Sequence, residues 1–341
     1  MKNMKMLCLC DLAIPKEVMK GMKKLEEFGI EVVYLDDAHR QTPEDITSEL
    51  LLMETQGADA GKTNPEIVEA AKDADIIITH SSSVNSDVIK AAKNLKYVGI
   101  LRNGTQNANT QLCEELGIQV INAPGRNNAA VADFTVALML AESRNIARGH
   151  HALKEGEWRK IFVNNPYVHD MRKTTIGIIG AGQIGSQVIR RLQGFEPRII
   201  VHDPFLSDEQ LISMGYEPVS ESQLLQEADF VSIHLRMTEK TANYFNKEKF
   251  EQMKPTAYFI NTSRAGMVNE DDLIEALTNK TIGGAAIDVF STEPLEENSP
   301  FLTLDNITIT PHMAGYSVDA FSNSVEINVE KFSEVLNQVA V

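Results

Sequence analysis

Three short segments in the second half of the chain carry side chains suited to acid–base work on a small anion. They are Asn261-Thr262-Ser263-Arg264, Asp288-Val289-Phe290-Ser291-Thr292-Glu293-Pro294 and Pro311-His312. Arg264 offers a planar guanidinium, which grips a carboxylate through two parallel hydrogen bonds. His312 offers an imidazole that gives or takes a proton near neutral pH. Glu293 offers a carboxylate that orients the imidazole and raises its pKa by pairing with the imidazolium. An arbitrary Arg, Glu or His has a plainer explanation, in a surface loop or at a helix start. Position changes that reading, because each of the three follows its own apolar strand-like run.

All three segments lie downstream of a glycine-rich turn, Gly180-Ala181-Gly182-Gln183-Ile184-Gly185. Such spacing is weak alone, but here the apolar run Thr175–Ile179 reads as a buried strand before it, and residues 186–192 read as a helix opening. In that setting Gly180 permits a tight turn, Gly182 admits a pyrophosphate close to the backbone, and Gly185 lets helix and strand pack closely. The amides of Gln183 and Ile184 then point at the phosphates, aided by the helix dipole. Asp203 ends the next strand, 18 residues after Gly185, where an acid binds the adenosine ribose hydroxyls. Pro204 and Phe205 follow it, with no cation to receive a 2′-phosphate, so NAD is expected over NADP.

The elements that must position these groups follow from the hydrophobic rhythm. Short apolar runs alternate with amphipathic stretches, as in parallel sheets covered by helices on both faces. A first series of strands is expected at residues 5–10, 31–35, 74–79, 96–101 and Gln119–Asn122, with helices at 16–28 and 86–93. A second series is expected at Thr175–Ile179, Arg198–His202, 230–234, 257–261, 285–289 and 307–310. In a doubly wound sheet ligands bind at the carboxyl ends of strands, so Arg264, Glu293 and His312 are expected at one rim. His234 also ends a strand and is expected to line the cofactor site. Residues 41–62 read as a polar, acidic surface excursion with one helix. Residues 129–153 read as one long helical stretch, with Val131, Phe134, Leu138 and Ala141 at helical spacing. Its apolar face serves either packing within the chain or a subunit contact. Near the end, Phe321, Val325, Val329, Phe332 and Leu336 form one stripe of a docking helix over residues 318–336.

Bulk properties bound the function. A length of 341 residues implies about two domains. With 43% hydrophobic and 23% charged residues, a soluble globular protein is expected. The net charge of −16 argues against nucleic acid as a partner, since phosphate binding needs clustered Lys and Arg. It also repels small anions at long range, so a carboxylate substrate needs a local cation, and Arg264 is the obvious one. Cys8, Cys10 and Cys113 are sparse and lack a second ligand pair, so buried apolar roles are expected, with no metal site, in a reducing cytoplasm. Residues 4–13 are too short, and too soon interrupted by Asp11, for a secretory signal. No run approaches the roughly 18 apolar residues of a membrane span.

Read together, these segments resemble the D-isomer-specific 2-hydroxyacid dehydrogenase family. The match also takes in Gly117 to Val120, Asn122-Ala123-Pro124, His202-Asp203-Pro204, Ser232-Ile233-His234, Thr238 to Thr241 and Met253-Lys254-Pro255. The resemblance implies two doubly wound α/β domains, a Rossmann NAD-binding domain inserted into a flavodoxin-like substrate domain. Residues 1–124 and 314–341 are expected to form the substrate domain, and residues 125–313 the NAD domain. The implied activity is NAD-dependent interconversion of a 2-oxo acid and a D-2-hydroxy acid. Arg264 would hold the substrate, His312 would be the acid/base and Glu293 its partner. Asp288 would approach the nicotinamide amide, Thr262 and Ser263 would line the ring, and Ser82, Ser83, Asn103 and Gly104 would bind the substrate carboxylate through backbone amides. A homodimer built on the 129–153 stretch is implied, with no appended regulatory domain. Formate oxidation on this fold uses Gln at the position of Glu293, which argues against it. A second reading is an NAD-sensing interaction protein on the same fold, as in the family's corepressor branch. Two departures stand out: Thr79 and Ile100 occupy positions where phosphoglycerate dehydrogenases tend to carry Arg, and Arg102 lies nearby to compensate.

Overall fold

The computed structural model describes residues 4–39 and 42–339. Within it the chain forms two compact units, Met1–Asn127 with Ser317–Val341, and Asn128–Tyr316. Each of the two divisions falls three residues beyond the expected one.

The first unit holds a parallel sheet of β1 (Met4–Cys10), β2 (Ile30–Asp36), β3 (Ile76–Thr79), β4 (Tyr97–Ile100) and β5 (Gln119–Asn122). Their order, β2-β1-β3-β4-β5, is the flavodoxin-like order. Side chains alternate between faces along a strand, and both faces here are buried. Met6, Cys8 and Cys10 enter one core and Leu7 and Leu9 the other. The expected C-terminal helix is Val318–Val339, and Val325, Val329, Phe332 and Leu336 sink into the Met6–Cys8–Cys10 core. Gly99 on β4 is what admits it: an added Cβ would lie 2.9 Å from the Phe332 ring and 2.4 Å from Ile78.

The second unit holds β6 (Thr175–Ile179), β7 (Arg198–His202), β8 (Glu217–Pro218), β9 (Phe230–Ile233), β10 (Tyr258–Asn261), β11 (Gly284–Ile287) and β12 (Ile307–Ile309). All run parallel in the order β12-β11-β10-β9-β6-β7-β8. The chain winds outward from β6 in one direction and then from β9 in the other. The switch point therefore lies between β6 and β9, and the carboxyl ends there form the binding rim.

Three expectations need correction. The 129–153 stretch is two helices, Asn128–Ser143 and Ile146–Lys154, broken where Asn145 adopts φ 56°. Asn tolerates that left-handed conformation, and its side chain secures the break by donating to Asn164 (2.6 Å) and accepting from Arg148 (3.0 Å). The 16–28 helix is one α turn, Lys16–Met19, continued as a 3-10 helix, Lys20–Phe28, that ends at Gly29 with φ 74°. The 41–62 segment, whose Gln41 lies outside the described residues, does contain one helix, Pro43–Gln56, started by a Thr42–Asp45 capping box. It is more than a surface excursion, because Met53 is fully buried and the next turn, Ala58–Ala60, accepts the Ser83 hydroxyl at 2.7 Å. The two-residue edge strand β8 carried too little pattern to be anticipated.

Candidate active site

The glycine turn between β6 and the helix Gln183–Leu192 is shaped by what its glycines lack. Gly180 has φ 96°, and a Cβ there would press within 2.9 Å of the His234 backbone. A Cβ on Gly185 would lie 2.0 Å from the Gly180 carbonyl oxygen. At Gly182 nothing comes within 4 Å, so the backbone there is open to a ligand. First-turn amides of a helix have no intrahelical acceptor, which leaves those of Gln183 and Ile184 for an anion. Asp203, just past β7, accepts from Ala181 N at 2.8 Å through one oxygen and from Phe205 N at 2.8 Å through the other. These bonds fix the carboxylate against the turn and leave lone pairs for hydroxyl donors. The open cradle, the free amides and the fixed acid fit a dinucleotide with an unphosphorylated ribose.

His234 stands beside this turn. Its Nε2 contacts the Ser232 hydroxyl at 2.9 Å, and burial pushes the imidazole down to about 4, so it stays neutral. Thr262 is buried and its hydroxyl meets that of Thr135 at 2.7 Å; Thr135 itself donates to the Val131 carbonyl, so Thr262 is the donor. Ser263 donates to Asn261 Oδ1 through both its amide (2.9 Å) and its hydroxyl (2.7 Å), and Asn261 donates to the Arg264 carbonyl at 3.1 Å. Buried Asn261 at the end of β10 thus shapes the loop that presents Arg264 to solvent. Among the described residues the Arg264 guanidinium keeps one bond, from Nη1 to the Ser263 carbonyl at 2.7 Å.

Glu293 and His312 meet directly. Glu293 Oε1 accepts from Phe290 N at 3.0 Å, while Oε2 lies 2.7 Å from His312 Nδ1. Burial pushes the Glu293 carboxyl up, but the His312 bond, the Phe290 amide and the charges of His312 and Arg264 outweigh it and hold it below its ordinary value. The hydrogen bond that His312 donates to Glu293 raises the imidazole's pKa, against burial and the Arg264 charge. Arg264 is therefore within electrostatic range of both groups. With Nδ1 engaged, Nε2 is the proton-carrying atom left for a substrate.

His312 has φ 48°, the left-handed region. Its segment is tied down by Asp288, which is fully buried and accepts from the Thr310 hydroxyl (2.6 Å), Met313 N (2.9 Å) and Ala314 N (2.7 Å). The family resemblance implies that Asp288 approaches the nicotinamide amide; within the protein its carboxylate accepts from the His312 segment, while its amide donates to the Asn261 carbonyl at 3.0 Å. Sequence reasoning missed Glu270, which accepts from both the amide (2.6 Å) and the hydroxyl of Ser291 and so fixes the 288–294 loop from the preceding helix, Glu270–Thr278. No spacing signal marks that contact.

In the first unit, the loop after β3 turns its carbonyls inward. Thr79 donates to the Ser82 carbonyl at 2.9 Å, and Asn107 donates to those of His80 and Ser82 at 3.3 Å. The hydroxyls of Ser82 and Ser83 also point inward, to Asp37 and the Ala58 carbonyl. Asn122 holds the Asn103 carbonyl at 2.6 Å. Among the described residues, the amides of Ser83, Asn103 and Gly104 have no acceptor within the protein.

Comparison with known proteins identifies the family. Residues 136–314 match the family model described as the D-isomer specific 2-hydroxyacid dehydrogenase NAD binding domain. The chain is 39% identical to a D-3-phosphoglycerate dehydrogenase of Methanocaldococcus jannaschii over 81% of its length, covering 52% of that protein. A hydroxypyruvate reductase of Thermotoga maritima is 32% identical over 81% of this chain and 88% of its own. Among solved structures, a D-lactate dehydrogenase from Sporolactobacillus superposes with a TM-score of 0.76 at 25% identity, over 98% of this chain and 96% of that one. The chain spans about half the length of the phosphoglycerate dehydrogenases it matches.

Proposed function

This chain belongs to the D-isomer-specific 2-hydroxyacid dehydrogenase family, and on that premise we propose that it is an NAD-dependent oxidoreductase interconverting a 2-oxo acid and a D-2-hydroxy acid. When bound, the nicotinamide supplies or accepts the hydride at substrate C2. Arg264 holds the substrate carboxylate and carbonyl oxygen and offsets negative charge developing on that oxygen. In reduction His312 gives its Nε2 proton to the carbonyl oxygen, and in oxidation it takes that proton back. Glu293 keeps the imidazolium populated and aimed. Gly180, Gly182, Gln183, Ile184, Gly185 and Asp203 hold the dinucleotide, with His234, Thr262 and Ser263 around it. Asp288 positions the His312 segment. The amides of Ser82, Ser83, Asn103 and Gly104 receive the substrate carboxylate.

The observation that carries this reading is the 2.7 Å Glu293–His312 pair, with Arg264 within range of both and the glycine turn in the same sheet. We further propose a homodimer. The helix Ile146–Lys154 and the segment after it leave Ile146, Leu153, Trp158 and Ile161 exposed, a set of apolar side chains suited to a partner. Three buried, unpaired cysteines suit a reducing cytoplasm.

The test is a panel of 2-oxo acids, including glyoxylate, hydroxypyruvate, pyruvate and branched acids, reduced with NADH or NADPH. At least one is expected to be turned over to the D product. NADH is expected to be preferred tenfold or more, about 1.4 kcal/mol, because Asp203 repels a 2′-phosphate. No turnover of any acid would sink the proposal, and equal use of both cofactors would remove Asp203 from its role.

A further inference from the structure

At the carboxyl rim of the five-stranded sheet lie several polar groups that the proposed reaction leaves unexplained. Asp11 follows β1 and His80 follows β3, and these are neighbouring strands at the point where the winding reverses. His80 Nδ1 lies 3.0 Å from Asp11 Oδ2, which also accepts the Ser81 hydroxyl. Asp11 Oδ1 accepts the amides of Ala13 (2.9 Å) and Ile14 (2.8 Å). The Asp11 carboxylate is therefore fully engaged. Arg102 follows β4, and its Nη2 pairs with Glu54 at 2.8 Å. Arg126 follows β5, the next strand along.

Arg126 is the group out of balance. Its guanidinium lies 5.4 Å from the Phe321 ring, partly buried, and donates one hydrogen bond, from Nη1 to the Ala320 carbonyl at 3.3 Å. Among the described residues it has no carboxylate within ion-pair distance. Burial first, and the charge of Arg102 second, push it down to about 10, against the attraction of Asp11. Five N–H donors with one acceptor among the described residues, within reach of the Arg102 charge, make a poor resting arrangement for a desolvated cation. In a protein of net charge −16 it is odder still, because carboxylates to neutralise it are plentiful.

We propose that Arg126, with Arg102 beside it, binds a second anionic group of the substrate, so that the preferred substrate is a 2-oxo acid carrying a further carboxylate or phosphate. The inference rests on the 2-oxo acid reading above and names its substrate class. The ends of β3, β4 and β5 place the pair on the same rim as the Ser82–Ser83 and Asn103–Gly104 loops. Those loops take the carboxylate next to the reacting carbon, and the guanidinium pair takes the distal charge. A guanidinium suits either anion, since both accept its two-point donation.

The test compares matched acids of equal chain length: 2-oxobutyrate against oxaloacetate, 2-oxovalerate against 2-oxoglutarate, and hydroxypyruvate against its 3-phosphate. In the wild type kcat/KM is expected to favour the dianion at least tenfold in one pair or more. Which pair shows the effect distinguishes carboxylate from phosphate. In Arg126→Gln that ratio is expected to fall towards one, and Arg126→Lys should restore part of it. Thermal melts with 2-oxoglutarate, 2-oxovalerate or inorganic phosphate report binding without turnover. A dianion or phosphate should raise Tm in the wild type and lose that effect in Arg126→Gln. A wild type with no dianion preference, or a preference unchanged in a folded Arg126→Gln protein, overturns the inference while leaving the dehydrogenase reading in place. Dianion-dependent stabilisation that requires Arg126, in a protein that reduces no oxo acid, would support the anion site and sink the dehydrogenase reading.

Discussion

Two residues set the expected pH behaviour. Reduction needs protonated His312, so kcat/KM for reduction should fall as pH rises through its raised pKa. Glu293→Gln removes the partner that does the raising, so the fall should begin at lower pH. His312→Gln should lose most turnover in both directions while NADH affinity, measured by fluorescence titration, stays nearly intact. An unmoved profile in Glu293→Gln, or an active His312→Gln protein, would remove the pair from the mechanism. Arg264→Lys should raise KM strongly and lower kcat as well, because an ammonium cannot supply a planar two-point grip. Steady-state kinetics with the best acid of the panel checks this. That Arg264, Glu293 and His312 each follow a strand of one sheet was legible in the sequence, because each comes after its own apolar run. That the Asp288 carboxylate also holds the His312 segment was not, since strand spacing says nothing about which groups a residue just past a strand will bind.

At the scale of elements, the β6–turn–helix unit depends on how closely its backbone packs. Gly185→Ala would drive a Cβ to 2.0 Å from the Gly180 carbonyl, backbone against backbone, with no flexible side chain to yield. Loss of NADH binding is expected, together with a lowered Tm; a variant that titrates NADH normally would refute this account of the turn. Buried parallel strands were easy to read because they are continuous apolar runs bounded by polar residues. The break at Asn145 was hidden, because apolar periodicity continues across it and the cause is tertiary. Asn164 and Arg148 hold the Asn145 side chain, and Arg148 pairs with buried Glu142 at 2.7 Å. The inner face of the Pro43–Gln56 helix was obscured in the same way. Glu49 is polar, yet it is buried, where it accepts the Lys62 amide at 2.8 Å and lies 3.1 Å from His39.

At the scale of the whole molecule, the exposed apolar set around the second of the two helices is the expected dimer contact. Trp158→Glu together with Ile146→Glu should shift the sedimentation coefficient from dimer to monomer; an unchanged dimer would place the contact elsewhere. The distribution of cysteines has a different use. Cys8, Cys10 and Cys113 are all buried in the first unit, and the second unit has none. Burial holds their thiols high, Cys10 at about 12 and Cys113 at about 11, so almost no thiolate forms while that unit is closed. The only tryptophan, Trp158, stands 80% exposed in the second unit. The chain therefore carries two separate natural reporters. The rate of thiol labelling times the opening of one unit alone, and indole emission, from a side chain in the expected dimer contact, follows dissociation of the dimer, so the two events can be watched independently without adding a probe.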